Sequence, residues 1–253
     1  MKQGSENPKM HQMRQKISTS GLLRSLSILL AGMLLAALVV QTAAWKTGHW
    51  GLYGLTQLVD MDAESSIPNW FNSFELFLVS LVCWMIARHP AQDLRWRPNW
   101  AILSGIFFLM SFDEVACVHE FIGRVITEKL QGHGLLYYGF ALPGAILAMA
   151  LFIYMLRMLL SLPKKIAFRM VLAGFLYVLG AAGLDAIQGI FAEKIDLGQA
   201  VMTNGAQFAE KLMSDLEGML EMGSLIFFLK VLFDHLKFIG GKEAVDCQIS
   251  LEP

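Results

Sequence analysis

Long apolar stretches separated by short polar segments dominate this chain of 253 residues. A helix needs about 20 mostly apolar residues to cross a hydrocarbon core of about 30 Å. None of the stretches alternates between apolar and polar residues as a membrane β-barrel strand does. The pattern therefore predicts an all-α, polytopic membrane protein, a bundle of six transmembrane helices. The predicted spans are approximately 25–45, 70–88, 100–120, 135–160, 168–191 and 212–237.

The same pattern predicts one membrane domain, residues 21–238, between two polar tails. Residues 1–20 are predicted to be a disordered cytoplasmic tail, and residues 239–253 a second cytoplasmic tail. The first span follows several basic residues, as a signal peptide does. Its apolar stretch is longer than the 7–15 residues typical of a signal core, so we predict an uncleaved helix.

Charge predicts the orientation of the spans. Fifteen of the 20 Lys and Arg residues lie at positions 1–24, in the loops 88–99 and 157–169, or at positions 230–253. Loops rich in Lys and Arg stay on the cytoplasmic side of a membrane. Both termini are therefore predicted to be cytoplasmic, with the protein in the cell inner membrane.

Composition excludes several other classes of protein. Hydrophobic residues make up 55% of the chain and charged residues only 16%, whereas soluble domains carry about 25% charged residues. A net charge of −1 argues against a nucleic-acid partner. Three scattered cysteines are too few for a disulfide framework or a thiolate zinc site.

Acidic residues are concentrated at one depth of the predicted bundle. With a rise of 1.5 Å per residue, Glu75, Asp113, Asp185 and Glu221 fall in one layer roughly 5–10 Å below the outer surface. An ionised side chain at the middle of a membrane costs about 2.5–3.5 kcal/mol. Four helices that carry this cost at one depth indicate a functional site. The outer loop 60–64, which is also acidic, is expected to be solvated.

Helical periodicity brings further polar side chains to this layer. Glu210, Glu217 and Glu221 share one face of the sixth predicted helix, and Asp113 and Glu120 share one face of the third. We predict an outward-facing polar cavity between the second, third, fifth and sixth helices. Its predicted lining is Asn72, Ser73, Glu75, Asp113, Glu114, His119, Glu120, Asp185, Gln188, Glu210, Glu217 and Glu221.

One histidine among several carboxylates suits a divalent metal such as Zn²⁺, Mn²⁺ or Fe. A metal with an open position lowers the pKa of bound water and creates a hydrolytic nucleophile. This chemistry predicts a metal-dependent hydrolase of a lipid or lipid-linked substrate, with Asp113 as a catalytic residue. The predicted metal ligands are His119, Glu120, Asp185, Glu217 and Glu221.

Two other functions are compatible with the same residues. Protonatable carboxylates without a metal suit a proton- or cation-coupled transporter or an ion conduit. Alternatively, the acids are interhelical hydrogen-bonding groups in a non-catalytic membrane scaffold. The partners predicted by the sequence are the lipid bilayer and a lipid substrate.

Four segments carry a resemblance to a known group of proteins: IPNWFNSFELFL, FFLMSFDEVACVHEFIGR, LGAAGLDAIQG and MSDLEGMLEMGSLIFFL. Together they resemble uncharacterised bacterial multipass membrane proteins over about residues 58–237. This resemblance implies a membrane bundle and brings no activity with it.

A fainter similarity is to the alkaline ceramidase and adiponectin-receptor superfamily of seven-helix membrane hydrolases. Those proteins bind zinc through three histidines, assisted by a Ser and an Asp. Ser73, Asp113 and His119 match that pattern by type and approximate place, so the similarity implies that Ser73 is a catalytic residue beside Asp113. The late histidine pair of the superfamily is absent here, and Glu217 and Glu221 stand in the last helix instead.

Overall fold

A computed structural model describes residues 15–130, 133–134, 137, 139–198, 201–241 and 247–249 of the chain. This part of the protein is helical except for two three-residue strands and the connecting loops. The elements in chain order are β1 (Gln15–Ile17), α1 (Thr19–Thr47), a 3-10 turn (Leu52–Gly54), α2 (Leu55–Val59), α3 (Ile67–Arg88), α4 (Arg97–Ala116), α5 (Val118–Leu130), α6 (Ala141–Ser161), α7 (Lys164–Val178), a π-helical turn (Leu179–Leu184), α8 (Asp185–Asp196), α9 (Asn204–Gly240) and β2 (Cys247–Ile249).

Four of the helical segments are long and apolar enough to cross a membrane: Thr19–Thr47, Ile67–Arg88, Leu142–Ser161 and Lys164–Asp196. A fifth span is present if α4 and α5 count together. These findings confirm a helical protein with several membrane-spanning candidates. The prediction of six spans depends on α9, whose charged residues keep it out of this set.

The α9 helix lies at the centre of the bundle. It packs against α1, α3 and α7, and its side chains Leu229 and Leu232 are fully buried. A helix shielded by its neighbours can carry charged residues without exposing them to lipid. The central position of α9 therefore explains how a helix in the bundle can carry so many acids.

Reciprocal serine pairs join α3 to α4. Ser80 Oγ donates to the Ser104 carbonyl at 2.8 Å, and Ser104 Oγ donates back to the Ser80 carbonyl at 2.9 Å. Seven residues away along each helix, Ser73 and Ser111 repeat the arrangement at 2.7 and 2.8 Å. Small residues that bond to the neighbouring backbone allow two helices to approach closely.

The predicted span 100–120 is wrong as one continuous helix, because the chain bends by 75° between α4 and α5. Cys117, at the bend, has a left-handed φ of 55°. The Asp113 carboxylate stabilises the bend, since its Oδ1 accepts from the backbone N–H of His119 at 3.0 Å, near the start of α5. His119 and Glu120 therefore project from α5 and not from the end of α4.

Predicted span 168–191 is also interrupted, by the π-helical turn between α7 and α8. Gly180 in this turn packs directly on α9. A Cβ atom at Gly180 would lie 3.1 Å from Glu221 Cγ and 3.2 Å from the Glu217 carbonyl oxygen. The π-helical turn thus holds the backbone of the fifth predicted span against the acidic face of α9.

The two tails contribute a short antiparallel ladder in which Gln15 pairs with Ile249 and Ile17 with Cys247. The sequence predicted a disordered tail over residues 1–20, yet residues 15–17 form β1 and α1 already begins at Thr19. Residues 1–14 of that prediction lie outside the described residues. The ladder brings the ends of the membrane domain together.

Candidate functional site

A cavity of about 1600 Å³ lies between α3, the loop before it, and helices α4 to α9. Ligand pockets commonly measure about 300–1,000 Å³, so this cavity has room for a molecule larger than most metabolites. Along α4, along α7 and α8, and along α9, the lining residues are apolar toward one end and acidic toward the other.

The acidic end gathers carboxylates from loops and helices that are distant in sequence. Ten Asp and Glu residues line the cavity, against two residues with permanent positive charge, Arg124 and Lys211. The ten are Asp62, Glu64, Asp113, Glu114, Glu120, Glu128, Asp185, Glu210, Glu217 and Glu221. Of the predicted site residues, Asn72, His119 and Gln188 also line the cavity, so most of the predicted set converges on one space.

Asp113 and His119 form a hydrogen-bonded pair in this lining. Asp113 Oδ2 lies 2.8 Å from His119 Nδ1, while Asp113 Oδ1 holds the His119 backbone. A carboxylate bonded to Nδ1 favours the tautomer with a proton there, which leaves Nε2 as a proton acceptor. The His119 ring also contacts Phe140, with ring centroids 5.6 Å apart.

Neutral amides hold three of the other carboxylates. Asn69 Nδ2 donates to Glu114 Oε2 at 3.1 Å, and Asn72 Nδ2 donates to Glu221 Oε2 at 3.2 Å. Gln188 Nε2 donates to Glu217 Oε2 in a short hydrogen bond. These contacts orient the carboxylates without neutralising their charge.

The opposite end of the cavity is lined by apolar side chains. Leu103 lies ten residues before Asp113 on α4, which corresponds to about 15 Å along the helix. Leu103 and Asp113 both line the cavity, so its acidic and apolar ends are separated by a distance suited to a hydrocarbon chain. The apolar end is formed by Leu103, Phe107, Met155, Met158, Leu159, Met170 and Phe228.

Two predicted site residues, Ser73 and Glu75, are not part of the cavity lining. The Ser73 hydroxyl donates to the Ser111 carbonyl, so it joins two helices and is not available as a nucleophile. Glu75 is fully buried, and neither carboxyl oxygen has a hydrogen-bond partner in the described part of the chain. Both belong to the packing of α3 and not to the site.

Replacing Glu75 with methionine should stabilise the protein, because a buried polar group without a partner costs about 1–3 kcal/mol. We expect the free energy of unfolding in mixed detergent micelles to rise by about that amount for Glu75→Met. Glu75→Gln, which keeps two unpartnered polar atoms, should change it little. A lower unfolding free energy for Glu75→Met would show that the Glu75 carboxyl is needed by the fold.

The loop between α2 and α3, expected to be solvated, is instead part of the site. Asp60 is buried and accepts from Lys211 Nζ at 2.5 Å, while Asp62 and Glu64 line the cavity. Surrounding protein atoms, followed by the negative charge of Asp60, raise the pKa of Asp62 to about 6. In the sequence, the signal that this loop belongs to the site was the presence of three acids within five residues, shortly before α3.

The raised pKa of Asp62 predicts a dependence of stability on pH. A carboxyl whose pKa rises from 3.8 to about 6 on folding binds more protons in the folded state, so it lowers stability as pH rises through that interval. Asp62→Asn should therefore raise the melting temperature more at pH 7 than at pH 4. An equal shift at both pH values would contradict the raised pKa.

The predicted metal site is not supported by this arrangement. Among the residues that the structure describes, no three His, Cys, Asp or Glu side chains are placed to hold a metal ion. His119, Glu120, Asp185, Glu217 and Glu221 all line the cavity, but they are spread over three helices, α5, α8 and α9, and form no metal-binding group. The Asp113–His119 pair is the arrangement with recognisable chemistry.

Comparison with known proteins gives a family and no activity. No curated protein and no solved structure matches this chain. The resemblance to ceramidases and adiponectin receptors, and a bacterial origin, therefore stay predictions. One family, described as a domain of unknown function (DUF8692), matches residues 26–236, which include the whole candidate site. The chain belongs to the DUF8692 family.

Proposed function

We propose that this protein is a six-span membrane hydrolase that cleaves a lipid or lipid-linked substrate bound in the cavity. The observation that carries the proposal is the Asp113–His119 pair, at 2.8 Å, in the wall of a cavity that also has a long apolar surface. A general base beside a hydrophobic chain-binding surface is what lipid hydrolysis requires.

His119 acts as the general base in this proposal. Its Nε2 takes a proton from a water molecule, and the water oxygen attacks an acyl or phosphoryl centre of the substrate. The bond from that centre to the leaving oxygen or nitrogen breaks, and the leaving atom takes the proton from His119. Asp113 orients the ring and stabilises its protonated form. Arg124, which lines the same cavity, can stabilise negative charge on the reacting centre.

The apolar end favours a hydrolase over an ion conduit. An ion crossing the bundle needs polar groups at both ends of its route, and Leu103, Met158 and Met170 offer none. The same side chains suit the hydrocarbon chain of a lipid. A scaffold, in turn, gives no reason for a cavity of about 1600 Å³ within the bundle.

The proposed topology counts α9 as the sixth span and α4 with α5 as a broken one. It places both termini in the cytoplasm and the acidic end of the cavity toward the outer surface of the inner membrane. The distribution of Lys and Arg supports this orientation, and the ladder between β1 and β2 is compatible with it because it joins the two tails.

The proposal is tested with purified protein in nanodiscs made from a bacterial lipid extract, incubated in water enriched in ¹⁸O. Hydrolysis transfers one ¹⁸O atom to an acyl or phosphoryl product, which mass spectrometry detects. We expect labelled product with the wild-type protein and with Glu75→Gln, which lies outside the cavity lining. The absence of any labelled product above a protein-free control would overturn the proposal.

A further inference from the structure

We infer that the cavity selects an amphiphile whose polar end is a primary ammonium group, bound between Asn72 and the acidic residues beside it. This inference rests on the proposed function and specifies its substrate class. Three features of the site support it: an excess of acidic groups, one unsatisfied hydrogen-bond acceptor, and the apolar surface beyond them.

The site has many more acidic groups than cations. The cavity lining carries ten carboxyl groups and two permanent cations, and one of those cations, Lys211, is already bound to Asp60. Glu114, Glu217 and Glu221 are held by neutral amides. Carboxylates that are crowded together in a region of low dielectric stay ionised together only when a cation neutralises them, so a cationic ligand matches the acidic end and an anionic one does not.

The Asn72 side chain has an unpartnered hydrogen-bond acceptor, and this observation is independent of the charge. Asn72 is only 4% exposed, lines the cavity and uses its Nδ2 to bind Glu221 at 3.2 Å. Its Oδ1 is buried and accepts no hydrogen bond from any described residue. A buried acceptor of this kind costs free energy until a donor reaches it. The missing partner is therefore a hydrogen-bond donor, which a primary ammonium group has and a quaternary ammonium group lacks.

The apolar end completes the description of the ligand. Asn72 and Glu221 lie in the same cavity as Met110, Phe107 and Leu103, so a cation bound at Asn72 can extend a hydrocarbon chain toward the apolar side chains. A small inorganic cation would leave that surface without a function. The described residues also contain no trio of acids placed for a metal ion.

The test compares four twelve-carbon probes with the same chain and different head groups: dodecylamine, dodecyltrimethylammonium, 1-dodecanol and dodecanoate. Binding to the full chain in nanodiscs is measured by native mass spectrometry at pH 7. We expect dodecylamine to bind most tightly and dodecanoate least. Glu221→Gln should weaken dodecylamine binding by about 10-fold or more, because it removes a charge-assisted hydrogen bond.

Two further variants separate the inference from a general effect on folding. Asn72→Ala should reduce the preference for dodecylamine over dodecyltrimethylammonium. Both probes are charged, but only dodecylamine can donate a hydrogen bond to the Asn72 side chain. Glu75→Gln, one helical turn from Asn72 on α3 but outside the cavity lining, should leave all four affinities unchanged. Melting temperatures without a probe show that each variant is folded.

The outcomes distinguish this inference from the proposed function. Equal binding of all four probes, or displacement of dodecylamine by millimolar Mg²⁺ or Ca²⁺, would overturn the choice of an ammonium amphiphile. Hydrolysis of lipid, detected by ¹⁸O taken up from water, would still stand in the first case. If no probe binds and no lipid is hydrolysed, both proposals fail.

Discussion

Replacing His119 with alanine is expected to reduce lipid hydrolysis by about 100- to 10,000-fold, the usual contribution of a general base. The measurement is the rate of ¹⁸O incorporation into product by protein in nanodiscs. His119 Nδ1 lies 2.8 Å from Asp113 Oδ2, so the variant removes the proton acceptor and leaves the carboxylate in place. Probe binding at the apolar end should be retained, because none of those side chains is altered.

Asp113→Asn tests the same pair from the other side. The amide can no longer fix a proton on Nδ1, so a larger part of His119 takes the wrong tautomer for accepting a proton at Nε2. Asp113 also supports the bend between α4 and α5 through the His119 backbone. The melting temperature of Asp113→Asn is therefore measured as well, to separate an effect on the fold from an effect on hydrolysis. A His119→Ala protein with wild-type hydrolysis would exclude His119 as the base.

Gly218→Ala is expected to destabilise the protein by about 1–3 kcal/mol, the cost of overpacking a well-packed contact. A Cβ atom at Gly218 would lie 2.7 Å from the Met61 carbonyl oxygen and 2.9 Å from Met61 Cβ. The backbone of the loop must therefore move. Because Met61 lies between Asp60 and Asp62, the same change should also weaken dodecylamine binding.

Gly223 provides the matched control on the same helix. A Cβ atom there would meet only Leu30 Cδ2, at 4.0 Å, which is an ordinary contact. Alanine is favoured over glycine in a helix interior by up to about 1 kcal/mol, so Gly223→Ala should be neutral or stabilising. Equal melting temperatures for Gly218→Ala and Gly223→Ala would contradict the close contact between α9 and the loop.

Much of the site could be predicted because the depth of a residue in a bundle follows from sequence position. Glu75, Asp113, Asp185 and Glu221 were assigned to one layer from the helical rise alone. The last three line one cavity, and Glu75 does not. Their common face and depth are local properties of the helices. For that reason they did not require knowledge of how the helices are arranged.

The errors arose where backbone geometry or packing decides. The left-handed conformation of Cys117 bends the third predicted span, and no glycine or proline at that position signals it. Ser73 was assigned to catalysis from the faint resemblance to the ceramidase superfamily, although its spacing of seven residues from Ser80 matches the spacing of Ser104 and Ser111. Asp62 was assigned to solvent because a loop has no periodicity from which to infer its contacts.

The most direct test of the central claim is to locate the hydrocarbon chain of a bound probe. Dodecylamine with a diazirine on its last carbon is bound to the protein in nanodiscs and photolysed, and the labelled peptides are sequenced by mass spectrometry. The account predicts labels at the apolar end of the cavity, on Leu103, Met158 or Met170. Labels confined to the exposed side of α4, at Leu109, Phe112 and Val115, which are 64%, 62% and 68% exposed, would contradict it.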